Sequence, residues 1–126
     1  MVQLGYGAAR ETADNEYKLS DHGIKVAVTV DSTAADDGNT PATTLRKGLV
    51  LGKVTATGKY KEYDNAASDG TQVAAGILDD ETNLLDETGT ARDSQATMLI
   101  HGYADESRLH GIDSNGKGDL AAIIFG

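Results

Sequence analysis

Cysteine and tryptophan are missing from this chain of 126 residues, and proline and phenylalanine occur once each. Without Cys there is neither a disulfide framework nor a thiolate metal site. With five Tyr and one Phe as its whole aromatic content, the chain has a thin, mostly aliphatic core, so oligomerisation or docking to a partner is the expected source of extra stability. No apolar run approaches the ~20 residues of a membrane-spanning helix. Residues 1–7 (MVQLGYG) show no basic segment followed by an apolar stretch, so no secretory signal is read and synthesis in the cytoplasm is expected. Net positive charge is also missing. The formal charge of −9 does not suit a protein that neutralises phosphates, so nucleic acid is excluded as a partner.

What is present is glycine, charge and short apolar runs. A chain of this size makes one domain, able to bury roughly two-thirds of its unfolded surface. Residues 41–63 carry five basic groups (Arg46, Lys47, Lys53, Lys59, Lys61) and one acid, Glu62, whereas residues 64–94 carry eight acids and only Arg92. Charge runs are ordinarily solvated faces. The sharper alternative is a head-to-tail match between neighbouring subunits, or a basic patch facing an acidic partner.

Residues 1–22 are polar, with Tyr6, Tyr17 and Leu19 as their sizeable apolar anchors, and read as an arm preceding a single β-rich domain over 23–126. Within 24–30, Ile24, Val26, Val28 and Val30 alternate with Lys25, Ala27 and Thr29, the period-two pattern of a half-buried strand. Residues 31–44 form a surface loop by composition. Strands over 49–55 and 59–63, joined by Ala56, Thr57 and Gly58, suit a hairpin with a left-handed glycine at Gly58. Gly48 and Gly52 flank Leu49, Val50 and Leu51 and predict bulges or close backbone approach. Further strands are expected over 73–78, with Gly76 at another close approach, over 96–101 and over 120–125. The stretch 79–94 reads as an acidic loop anchored by Leu84 and Leu85, and 105–110 as a short helical turn. The class is mostly β, compact, antiparallel or mixed.

Motifs that carry chemistry are approached and missed. Residues 111–118 (GIDSNGKG) nearly spell a phosphate-binding loop, but Gly118 stands where a Ser or Thr hydroxyl should hold magnesium. The strand-like tail after it leaves no room for the helix that should face the phosphates. The same stretch as a calcium loop puts Lys117 at the fifth place and Ile124 at the twelfth, where a bidentate Glu belongs. His22, His101 and His110 show no i, i+4 pair of a helical metal motif. No Gly-x-Ser-x-Gly nucleophile motif occurs. The paired acids Asp79 and Asp80, and Asp86 and Glu87, sit in a polar loop that does not raise a carboxyl pKa for acid catalysis. No catalytic residue, metal site or cofactor is assigned.

Several blocks, taken in order, resemble the lambda-type head decoration proteins of tailed bacteriophages: 17–21 (YKLSD), the strand 24–30, 45–60 (LRKGLVLGKVTATGKY), 64–70 (DNAASDG) and 73–78 (VAAGIL). Together they cover most of residues 17–80, and 97–125 follows more loosely as strand, turn and apolar strand. The resemblance implies a β-clip-like fold, a bent double-stranded ribbon, assembled as a homotrimer without enzymatic activity or cofactor. It implies a place on the outer surface of the expanded head at three-fold and quasi-three-fold positions, clamping the major capsid protein against the pressure of packaged DNA. The acidic stretch 79–94 has no counterpart in the pattern.

The reading is therefore a capsid cement protein of the virion, with no membrane or nucleic-acid partner. Tyr6, Tyr17 and Leu19 are the expected anchors of a capsid-binding arm, since aromatic and aliphatic anchors dominate interfaces. Leu49, Leu51, Val54, Val73 and Ile77 are the expected trimer contacts. Two alternatives stand beside it. One is a trimeric β-clip nucleotide hydrolase of the deoxyuridine triphosphatase type, favoured by the motif-like Gly111, Ile112 and Asp113 but lacking a glycine- and arginine-rich C-terminal motif. The other is a tail or fibre module.

Overall fold

In a computed structural model, residues 17–126 are described. They form eight strands: β1 (Lys18–Val30), β2 (Thr44–Leu45), β3 (Val50–Lys53), β4 (Tyr60–Glu62), β5 (Ala74–Leu78), β6 (Thr82–Asn83), β7 (Ser94–Ala104) and β8 (Ile123–Phe125). A 3-10 turn, Glu106–Arg108, and one short helix, α1 (Ser114–Asp119), lie between β7 and β8. β3 pairs antiparallel with β4 and with β5, β5 with β7, and β7 with β1 over nearly its whole length. A single parallel bridge, Val30 to Tyr60, joins β1 to β4 and closes these five strands into a barrel-like ring. β8 adds in parallel to the end of β7, and β2 and β6 make a small separate ladder.

Alternation along the central strands builds two cores. Leu49, Leu51, Leu78 and Met98 point to one side and join Val28, Val30, Leu45, Leu84 and Ala96, with Tyr60 packed against them. Every strand of the ring contributes, so this cluster fills its interior. Val50, Ile77 and Leu99 point to the other side. They are covered from outside by Tyr17, Leu109, Leu120 and Ile123. Each fully buried aliphatic side chain contributes about 1.5–3 kcal/mol of transfer free energy.

The expected mostly-β class with a short helical turn is what the structure has. Gly58 closes the β3–β4 hairpin at φ +74 and donates its N–H to Val54 at 2.8 Å. Gly76 is the predicted close approach: a Cβ there would sit 2.6 Å from Met98 Cγ and 2.7 Å from the Leu99 carbonyl. The turn expected over 105–110 is the 3-10 turn, capped by Asp105, whose carboxylate accepts from the Ser107 N–H.

Three readings change. β1 begins at Lys18, so residues 18–22, assigned to the arm, belong to the first strand of the sheet. Residues 114–119 form a short helix, although the sequence reading leaves no room for one there. Two glycines and an asparagine make SNGKGD a poor helix former, but Asp113 caps it by accepting from the Gly116 N–H at 2.7 Å. Gly116 also lets the helix sit against the Tyr63 ring, 3.1 Å from where a Cβ would stand. The acidic stretch 79–94 is partly structured, with β6 inside it and Leu84 fully buried.

Candidate interaction surface

The corner where β1 starts, β7 ends and β8 ends gathers most of the unusual chemistry. It is organised by Asp79, the residue after β5, whose N–H donates to the Thr97 carbonyl at 2.8 Å. Asp79 is buried, at 7% exposure. The Tyr17 hydroxyl donates to Oδ1 at 2.8 Å, Lys25 Nζ lies 2.8 Å from Oδ2, and Lys18 Nζ lies 3.5 Å from Oδ1. Burial pushes the Asp79 pKa up, but the hydrogen bonds from Lys25 and Tyr17 and the charges of both lysines outweigh it and hold it below the usual carboxylate value. The hydrogen bond to Asp79 in turn raises Lys25.

These three donors straddle an irregularity. Between Lys18 and Gly23 β1 advances five residues while β7 goes only from Ala104 to Gly102. Tyr17 itself is fully buried in the outer core, and its carbonyl accepts from the Asp105 N–H at 2.7 Å. On the other edge of β7, Phe125 pairs with Ala104, and the Gly126 N–H donates to the Ala104 carbonyl at 2.8 Å. The first described residue and the last one thus meet across the end of a single strand.

Around this meeting point the surface is apolar. A bulge in β7 near Ile100 puts His101 opposite Ile24, so that by register Ile24, His101, Tyr103 and Ile124 share one face of the sheet. That face lines the ring interior further along β1, at Val28 and Val30. Here, past the mouth of the ring, it meets solvent: Leu19, Ile24 and Ile124 are each more than half exposed and Tyr103 is 39% exposed. The Leu19 side chain lies against Gly126.

The expected site residues fall into different places. Tyr6 lies outside the described residues. Leu19 is on the surface. Tyr17 is not: its ring is core and its hydroxyl is spent on Asp79. Leu49, Leu51 and Ile77 are buried inside the domain and have no surface to offer a neighbouring copy. Apolar, glycine-flanked runs look alike in sequence whether they form a core or an interface. Val54 is half-buried, and Val73 is exposed in an open groove with Lys53, Thr55, Gly70, Gln72 and Ala75. Sequence reasoning misses Asp79, Ile24 and Ile124. Asp79 sits in an acidic run that reads as loop, and Ile24 and Ile124 belong to strands whose patterns promise burial.

The charge polarity of the sequence is partly consumed within the chain itself. Arg46 forks onto the buried Asp36 at 2.8 and 2.9 Å, and Lys59 meets Asp93 at 2.6 Å. His110, near the Arg46–Asp36 pair, has its pKa lowered by burial first and by Arg46 second. Among the described residues no group of three or more His, Asp or Glu is placed to hold a metal ion, and no helix is long and apolar enough to cross a membrane. The phosphate-loop look-alike is the capped start of α1, its Asp113 carboxylate accepting from the Gly116 N–H and, at 2.8 Å, from the Tyr63 hydroxyl.

Among curated proteins none matches the chain. The family model described as bacteriophage lambda head decoration protein D matches residues 31–113, well over half the chain. With a mostly-β domain in place, the chain belongs to the lambda head decoration protein D family, structural proteins of the phage capsid.

Proposed function

We propose that this protein is a capsid cement, a homotrimer seated on the outer surface of the expanded head at three-fold and quasi-three-fold sites. There it clamps neighbouring major capsid protein subunits against the pressure of packaged DNA. Made in the host cytoplasm, it joins the virion after the head expands. Family membership is the observation that carries this reading, because it already implies association with the capsid.

The corner at Ala104 supports a particular mode of attachment. Residues 1–16, with Tyr6 as anchor, are joined to the domain at Tyr17 and supply the contact to the capsid protein. A polar segment with strand-compatible residues can add to a free sheet edge through main-chain hydrogen bonds. Three arms per trimer multiply weak contacts into firm attachment. For the trimer contacts, exposed Val73 and half-buried Val54 remain the candidates.

The test is binding of purified protein to shells lacking it, with copies counted on expanded and unexpanded shells. Saturation at three copies per three-fold site on expanded shells alone supports the reading. Absence of binding to both sinks it.

A further inference from the structure

A buried ion pair is weak evidence for stability, because well-packed apolar groups often serve as well. Its best-attested use is to specify an arrangement. The Asp79 cluster stands where an arrangement needs specifying. Across the irregularity at residues 19–22 the ladder between β1 and β7 is broken, and strand register is only loosely set where pairing lapses. Lys18 lies before the break and Lys25 after it, yet both reach the same carboxylate, and Tyr17 reaches it from the chain position next to the arm. Asp79 is itself anchored in the sheet through Thr97. One side chain therefore fixes both sides of the break to the rigid part of the domain.

We propose that Asp79 is a positioning residue for capsid attachment. By pinning residues 17–25 it fixes the end of the domain to which residues 1–16 are joined. Attachment through residues 1–16 then requires less ordering of residues 17–25 at the moment of binding. The proposal rests on the reading that residues 1–16 reach the capsid.

The experiment uses the full-length protein and expanded shells lacking it. Asp79→Asn should weaken shell binding about tenfold, because the root of the arm must then be ordered at the moment of binding. Amide exchange should quicken over residues 18–25 while β3 and β5 keep theirs. Lys25→Gln, at a partly exposed position, should shift both readouts in the same direction and serves if Asp79→Asn does not fold. The chain has no native cysteine, so Lys18→Cys with Ala104→Cys, cross-strand partners, can fasten the root by a disulfide instead. In the Asp79→Asn background, closing that bond should restore binding and reducing it should abolish the rescue. Unchanged binding in Asp79→Asn, or a loss that the disulfide does not restore, overturns the proposal. Deletion of residues 2–16 separates the two ideas. If binding survives it, the arm reading fails and the role of Asp79 falls with it; if binding is lost but Asp79→Asn binds normally, only the positioning role fails.

Discussion

Single residues carry sharp constraints here. Gly76 faces Met98 and the Leu99 carbonyl with no room for a methyl group. Gly76→Ala should cost about 1–3 kcal/mol through overpacking, read from the urea midpoint at constant slope. Tyr63 shows a different kind of constraint. Burial and then its hydrogen bond to Asp113 push its pKa from 10.0 up to about 12. A raised value means the folded state keeps its proton longer than the unfolded state. The stabilisation is therefore whole below pH 10 and lost as pH climbs toward about 12. An ultraviolet titration of the tyrosines should include a late phenol that Tyr63→Phe removes. Gly76 could be read from the sequence, because a glycine amid apolar strand residues marks a place where a neighbouring chain comes too close for a side chain. The partnership of Tyr63 with Asp113, fifty positions apart, could not, since nothing local announces it.

At the scale of elements, β1 decides what a truncation does. Deleting residues 2–16 removes none of the described core, of which Tyr17 is the first residue, and should leave thermal stability unchanged. Deleting residues 1–20 removes the buried Tyr17 ring and the Lys18 contact, and should cost about 3–5 kcal/mol, the usual loss for a large buried aromatic side chain. Urea unfolding of the two truncations side by side checks this. Acid acts on two elements in turn. His110 has a lowered pKa, so its share of stability is present above 6.5 and is lost as pH falls below that. Asp79, held below 3.8 among Lys18, Lys25, Tyr17 and the nearby Asp80, contributes above that value and loses its share at lower pH. Stability measured against pH should fall in two stages, and Asp79→Asn should reduce only the lower one, which Asp36 and the other aspartates held below their usual value share. Strand and hairpin positions were legible because their alternation is regular. The helix α1 was not, because a cap and a close ring contact override its weak propensity. The early start of β1 was hidden by its broken pairing, since residues 18–22 offer no alternation to read.

At the scale of the whole molecule, class and family were legible from the order of several glycine-punctuated blocks. Closure of the ring was not, because it hangs on one contact, Val30 with Tyr60, between segments thirty positions apart. Interfaces were the least legible. Runs such as 49–51 and 73–78 look equally fit for a core or a partner, and most of them went to the core. The described residues also begin with a strand of thirteen residues and end with one of three. Gripped at its two ends and stretched, such a molecule yields where the fewest rungs share the load. β8 should tear away first, and β1 should be the last fastening to give.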